Sequence, residues 1–383
     1  MTIHRDGPVL ERKRQCRGFG FEPSFVLLLV FLVSYQLAFA QQSSVVGSVN
    51  STNQASSSLD EFAFIRAHHP EDLVPIPSSP WLVASSMSVN KGRGAPGGGF
   101  YLVNVETRTA KLIDKSKALQ GTPVPEFTNC PGSPPEELFA AHGMAIENRN
   151  GQLRLLVVNH GGRESVEVFA ISMTGEMPAF HWVGCVVFPS NLSLNAVAPL
   201  RDGGFVVTSM VDFNDPERAR KLQTGENTGV IYRWEPKHAP VPLPGTEVCG
   251  DNGIEVGPDG SIYLNAWAGK AILRLREHGG RFVRETISLD FMPDNLRWSP
   301  DGKLLVAGQR RSLEEFFKGC GASPCRIPWV AVELDPRSMK VTTLVENDGA
   351  QFGDATTALR VGNELWLGSA TEDRIAILPI SEW

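Results

Sequence analysis

DFMPDNLRWSPDGKLLVAGQ, residues 290–309, sets two strongly hydrated side chains, Asp294 and Asn295, at the head of a short apolar run. The run passes through a Pro300-Asp301-Gly302 turn into the strand-like KLLVAGQ. A single Asn before a strand is ordinarily a turn residue, because its side chain bonds its own backbone. Here the arrangement recurs. A polar residue opens an apolar segment eight to eleven residues ahead of each of six strand-like runs: Glu71 in EDLVPI, His142 in HGMAI, Asn195 in NAVAPL, Asn252 in NGIEV, Asn295 in NLRW and Thr356 in TTAL. The runs that follow are WLVASS, LRLLVVNH, GFVVTSM, SIYLNAW, KLLVAGQ and ELWLGSA, and each has a partner strand downstream: FYLVNV, SVEVFAI, GVIYRWE, AILRLRE, WVAVELD and RIAILPI. Asn150-Gly151, Asp202-Gly203, Asp259-Gly260 and Asp301-Gly302 supply tight turns ahead of several of them. Six units of roughly fifty residues, each with three or four strands, predict an all-β chain folded as a six-bladed β-propeller. A sandwich or a solenoid would also give many short strands, but neither explains the constant polar start. In a propeller the innermost strand of each blade runs along a central channel, so the six marked residues should converge on one axis.

The chain has 383 residues, 42% hydrophobic and 20% charged, which allows a large core; Gly at 37 and Pro at 27 favour turn-rich β structure. A net charge of -6 argues against nucleic acid as the main partner. Residues 1–40 read as a secretory signal: basic Arg12, Lys13, Arg14 and Arg17 precede the apolar run Phe25 to Ala40, which closes on Ala38-Phe39-Ala40. The rival reading is a retained anchor, the one case in which a membrane is a partner, although the run is short for a spanning helix. Residues 41–60 read as a flexible polar leader and 61–383 as the propeller domain. The expected location is secreted, extracellular or periplasmic, where disulfides persist. Five cysteines follow the signal, an odd number; Cys320 with Cys325, framing CGASPC, is the first choice of bridge and Cys130 with Cys185 the second. No CxxC pair occurs and the histidines lie far from the cysteines, so zinc is not indicated.

The converging side chains have a chemistry in common. Glu71 and Asp294 bring two carboxylates, and Asn195, Asn252 and Asn295 bring neutral amide oxygens. These are hard donors whose two negative charges match Ca²⁺. An ion with an open position would polarise a carbonyl and stabilise an oxyanion. His142 shares the repeat position, and His160 ends a strand of the same unit, so an imidazole base and a helper are at hand. His68 and His69 read as solvated surface residues, and Arg310, Arg311, Phe316 and Phe317 as rim residues. Gly92 to Gly97 satisfies GxGxxG but leads into FYLVNV rather than a helix, which fits a hairpin loop and not a dinucleotide site. Asn50 and Asn191 head sequons, which matter only in a glycosylating host.

HGMAI, LLVVNHGGRESVEVF, NGIEVGPDG and LDFMPDNL resemble the paraoxonase or arylesterase family, calcium-dependent lactonases on six-bladed propellers, with gluconolactonase and regucalcin-like proteins as wider relatives. The likeness runs from about residue 64 to the end. It implies a catalytic calcium on Glu71, Asn195, Asn252, Asp294 and Asn295, with His142 as the catalytic histidine and His160 as its helper. A second, structural calcium is implied at Asp72 and the Met144 carbonyl, although Ala196 stands where a further Asp would be, and the family's bridge between the chain ends has no obvious cysteines here. The function expected is a secreted, calcium-dependent hydrolase of lactones or activated aryl esters, with a small molecule as substrate. The alternatives are a non-catalytic propeller that binds a ligand or protein around a structural calcium, and a metal-free synthase on the related strictosidine-synthase scaffold.

Overall fold

The Pro300-Asp301-Gly302 turn forms where the sequence predicts it. Gly302 takes φ +79° and its N–H bonds the Ser299 carbonyl at 3.0 Å, closing a hairpin between two buried strands. A computed structural model of the chain describes residues 62–88, 98–319 and 324–380. The proposed signal and leader, the Gly92 to Gly97 loop, Asn50 and Cys320 lie outside the described residues.

After β1 (Ala63–Arg66), the strands form blades in chain order. The first is β2 (Leu73–Pro75), β3 (Trp81–Ser85), β4 (Phe100–Asn104) and β5 (Thr109–Leu112), and a short helix α1 (Lys115–Ala118) follows it. The second is β6 (Ala141–Arg149), β7 (Gln152–Asn159), β8 (Ser165–Ser172) and β9 (Ala179–Val187). The third is β10 (Leu192–Pro199), β11 (Phe205–Asp212), β12 (Val230–Trp234) and β13 (Val241–Pro242), with α2 (Arg218–Thr224) between its middle strands. The fourth is β14 (Asp251–Val256), β15 (Ile262–Ala266), β16 (Ala271–His278) and β17 (Arg281–Ser288). The fifth is β18 (Met292–Trp298), β19 (Leu304–Gln309), β20 (Trp329–Asp335) and β21 (Lys340–Asn347), with α3 (Leu313–Lys318). The sixth is β22 (Ala355–Val361), β23 (Glu364–Ser369) and β24 (Arg374–Pro379), completed by β1 as its outer strand. All six sheets are four-stranded, and the fold is a six-bladed β-propeller. The recurring runs of the sequence are the second and third strands of each blade.

Burial follows position in the blade. Outer β17 has five exposed and three half-buried residues and none fully buried, as an outer edge strand should, whereas β18 is buried through six of its seven residues. The core lies between blades: Phe100 of the first packs at 5.0 to 5.5 Å, edge to face, on Phe169 and Phe180 of the second. Fully buried side chains of this size each stabilise by about 1.5–3 kcal/mol. The ring is closed by β1, which pairs antiparallel with β24 in the register Ala63↔Ile377 to Arg66↔Arg374. Cys130 and Cys185 form the bridge ranked second from sequence. No helix among the described residues is long and apolar enough to cross a membrane.

Candidate active site

The innermost strands β6, β10, β14, β18 and β22 share a defect. Register with the second strand slips between Ala141 and Met144, Leu194 and Val197, Asp251 and Ile254, Pro293 and Leu296, and Ala355 and Thr357. Each slip brackets the polar residue that opens the repeat. A bulge adds a residue to one strand, frees its backbone groups from the ladder and re-aims the side chain. Freed carbonyls find other partners: Thr208 Oγ1 donates to that of Asn252 at 2.7 Å and Asn265 Nδ2 to that of Asp294 at 2.7 Å, while the Glu71 carbonyl, just ahead of β2, accepts from Thr356 Oγ1 at 2.6 Å. Two glycines make the close approach possible. A Cβ on Gly143 would lie 2.2 Å from the Asn195 carbonyl oxygen, and one on Gly253 2.4 Å from that of Asp294. The His-Gly and Asn-Gly pairs of the repeat therefore let neighbouring innermost strands meet backbone to backbone.

This packing gathers the channel side chains. Asn295 Nδ2 donates to Glu71 Oε1 at 2.7 Å, and His142 Nε2 lies 3.7 Å from the same oxygen, so three blades meet at one carboxylate. The Oδ1 atoms of Asn195, Asn252 and Asn295 are buried and accept no hydrogen bond from any of the described residues. Leaving a buried acceptor unsatisfied costs about 1–3 kcal/mol, and these three oxygens, from neighbouring blades in one channel, could serve together as donors to a cation. Asp294 Oδ2 accepts from Gln309 Nε2 at 2.8 Å, and Gln309 also bonds the Ala355 carbonyl at the head of β22. The donor set is amide-rich: no trio of His, Cys, Asp or Glu that would hold a metal by itself occurs among the described residues. Oxygen donors of this kind and charge fit Ca²⁺ rather than zinc.

The two histidines touch. His142 Nδ1 and His160 Nε2 are 2.8 Å apart, and His160 Nδ1 lies 3.0 Å from both oxygens of Glu164. A carboxylate accepts, so His160 Nδ1 carries the proton; His160 Nε2 must then accept from His142 Nδ1, which leaves the lone pair of the neutral His142 ring on Nε2, the atom nearest Glu71. The row ends in a base at the channel. Glu164 is itself 5% exposed and accepts from the Leu194 N–H at 3.2 Å. If His142 is the base, Glu164 acts by positioning its ring through His160, and Glu164→Gln should lower kcat about 10- to 100-fold with KM little changed. An unchanged kcat, or a loss carried by KM instead, would leave Glu164 a purely structural role.

Asp72 and Met144 meet something else. Arg297, 4% exposed, reaches across the channel floor. Its Nη2 donates to the Met144 carbonyl at 3.0 Å and to Asp72 Oδ2 in a shorter contact, its Nη1 to Glu255 Oε1 at 3.1 Å and to the Leu296 carbonyl at 2.8 Å, and its Nε to the Leu73 carbonyl at 3.1 Å. Both groups assigned by resemblance to a second calcium thus bind a guanidinium. Burial, opposed by Arg297, pushes the Glu255 carboxyl up to about 7 from its ordinary 4.5. A carboxyl raised on folding binds its proton more tightly in the native chain, so its effect is most favourable at low pH and is lost as pH climbs from about 4.5 to about 7. Glu255→Gln should flatten the melting temperature over that window, and an unchanged slope would rule Glu255 out as its source.

Several other residues need placing. His69 is buried, not solvated: it stacks on His68 at 3.8 Å between ring centroids and its Nδ1 lies 3.1 Å from the Met87 carbonyl, because the segment from β1 turns inward there toward Glu71. Arg311 lies over the Phe316 ring at 4.6 Å, Phe316 packs on Trp267 at 4.7 Å, and Trp267 Nε1 donates to Gln309 Oε1 at 3.0 Å, forming a wall that leads to Asp294. Arg310 instead pairs with Asp290 and Glu346 at 2.8 Å, and Phe317 is exposed. Glu164, Gln309 and Arg297 escaped the sequence reading. Gln309 was within reach, since it ends the second strand of its blade as the Asn159-His160 pair ends that of the second blade.

A six-bladed propeller with an axial cluster of oxygen donors and a histidine pair defines a class, the lactone- and ester-hydrolysing propellers. The chain belongs to the arylesterase family, whose model matches residues 97–375. Comparison with curated proteins finds no match. Among solved structures the chain is similar to a gluconolactonase from Xanthomonas campestris, at 16% identity and TM-score 0.50 over 83% of this chain and 88% of that one. It is also similar to the calcium-binding protein regucalcin from Agrobacterium tumefaciens, at 12% identity and TM-score 0.46 over 83% and 95%.

Proposed function

We propose that the protein is a calcium-dependent hydrolase of lactones or activated aryl esters that works outside the cytoplasm. The observation that carries this reading is the meeting, in one channel, of three unsatisfied amide oxygens, the Glu71 carboxylate and the imidazole row that ends at His142. Glu71, Asn195, Asn252, Asn295 and Asp294 would hold the ion. When bound, calcium supplies Lewis-acid polarisation of a substrate carbonyl and stabilises the oxyanion formed on attack. His142 Nε2 takes a proton from water as the water oxygen bonds to the carbonyl carbon, and returns it to the alcohol or phenol oxygen as the ester bond breaks. His160 and Glu164 hold the ring in the required tautomer and stabilise it when charged. The bulges keep these side chains on rigid strands, so little reorganisation accompanies the reaction. The Cys130–Cys185 bridge supports an oxidising compartment.

The test is a panel of sugar lactones, aliphatic lactones and phenyl acetate, assayed with added calcium and with a chelator. Turnover that is lost in chelator and restored by calcium is expected. Turnover indifferent to chelator would refute the metal role, and calcium binding without turnover of any member would mark a binding propeller instead.

A further inference from the structure

All five N–H groups of Arg297 are matched by five acceptors: Asp72 Oδ2, Glu255 Oε1 and the carbonyls of Leu73, Met144 and Leu296. These acceptors come from the first, second, fourth and fifth blades, so one guanidinium ties four blades at the channel floor. Without the arginine side chain they are two carboxylates and three carbonyl oxygens around a buried space. That is a divalent-cation donor set, two carboxylates and three carbonyls giving five hard oxygens, short by one to three waters of the coordination calcium takes.

We propose that the channel floor is a cation site whose cation is the chain's own Arg297. The guanidinium supplies the positive charge that the buried carboxylates require, and its fork spreads that charge over acceptors on different blades as a spherical ion would. The floor has no room for a second metal ion in the natural chain, and the blades close there without one. Removing the side chain should uncover the site and make that closure depend on a divalent ion. The proposal is independent of the channel metal above, since it concerns a difference of one ion between two chains, whether the natural chain holds one or none.

The experiment compares the natural chain with Arg297→Ala and Arg297→Lys, using calcium as the probe. Bound calcium is counted by elemental analysis after dialysis at a fixed low concentration, and melting curves are recorded with calcium and with EDTA. R297A should hold one more calcium per chain than the natural protein, and its melting temperature should rise with calcium by several degrees more than the natural protein's does. R297K, which keeps a tethered cation, should gain no ion. An R297A chain that folds only when calcium is added supports the proposal equally. An R297A chain that gains no ion, or that calcium does not stabilise or recover, overturns it. So does a natural chain already holding two ions.

Discussion

Asp294→Ala should cut turnover by about three orders of magnitude or more and leave the propeller folded. The side chain is 7% exposed and carries one of the two carboxylates assigned to the ion. Losing that charge removes a contribution of several kcal/mol to metal binding and, through it, to the transition state. The structural cost is smaller. Gln309 Nε2 loses its 2.8 Å bond to Asp294 but keeps the Ala355 carbonyl at 3.3 Å, and the Asp294 main chain remains held by Asn265. Stability in chelator should therefore fall by only about 1 kcal/mol. Calorimetric titration with calcium, hydrolysis rates and thermal melts in EDTA separate the two effects. Activity within tenfold of the natural enzyme would remove Asp294 from the site.

His142→Gln should show the opposite division, with calcium affinity retained and kcat reduced about 10²- to 10⁴-fold, the usual range for losing a general base. Gln preserves a polar side chain at the bulge, but no atom of it can take and return a proton near neutral pH. The loss should sit in kcat rather than KM, and the acid limb of the rate profile should vanish with the imidazole. A variant that loses calcium as well would show that His142 is a ligand, and one with natural kcat would end its role as base.

The repeat was legible because it pairs two independent signals, a strand pattern and a fixed polar position, and both survive in every blade. Glu71, His142, Asn195, Asn252 and Asn295 were found that way. Asp294 was harder to place on pattern alone. Strict alternation along a strand sends neighbours to opposite faces, and the slip between Pro293 and Leu296, which allows Asp294 and Asn295 to serve one channel, leaves no mark in the amino-acid order. Arg297 was hidden for a related reason, since a charged residue in NLRW reads equally well as the wet face of a strand until its five acceptors are seen. Glu164 sits in a loop of two glycines and an arginine, where nothing local separates a tautomer-setting carboxylate from a solvated one. The closing strand was illegible too, because AFIR is four residues long and its partner lies at the far end of the chain.

That last pairing imposes an order on biogenesis. Ala63–Arg66 has no edge to join until Arg374–Pro379 has been made, so a nascent chain can stack its blades one after another yet remain an open crescent. Glu71, just inside the sealing strand, reaches Asn295 only when the crescent shuts. Ion capture and catalytic competence would then be acquired together, at the final step of assembly and not progressively during synthesis. A ribosome-bound or carboxy-terminally clipped chain would carry nearly every blade and no working centre.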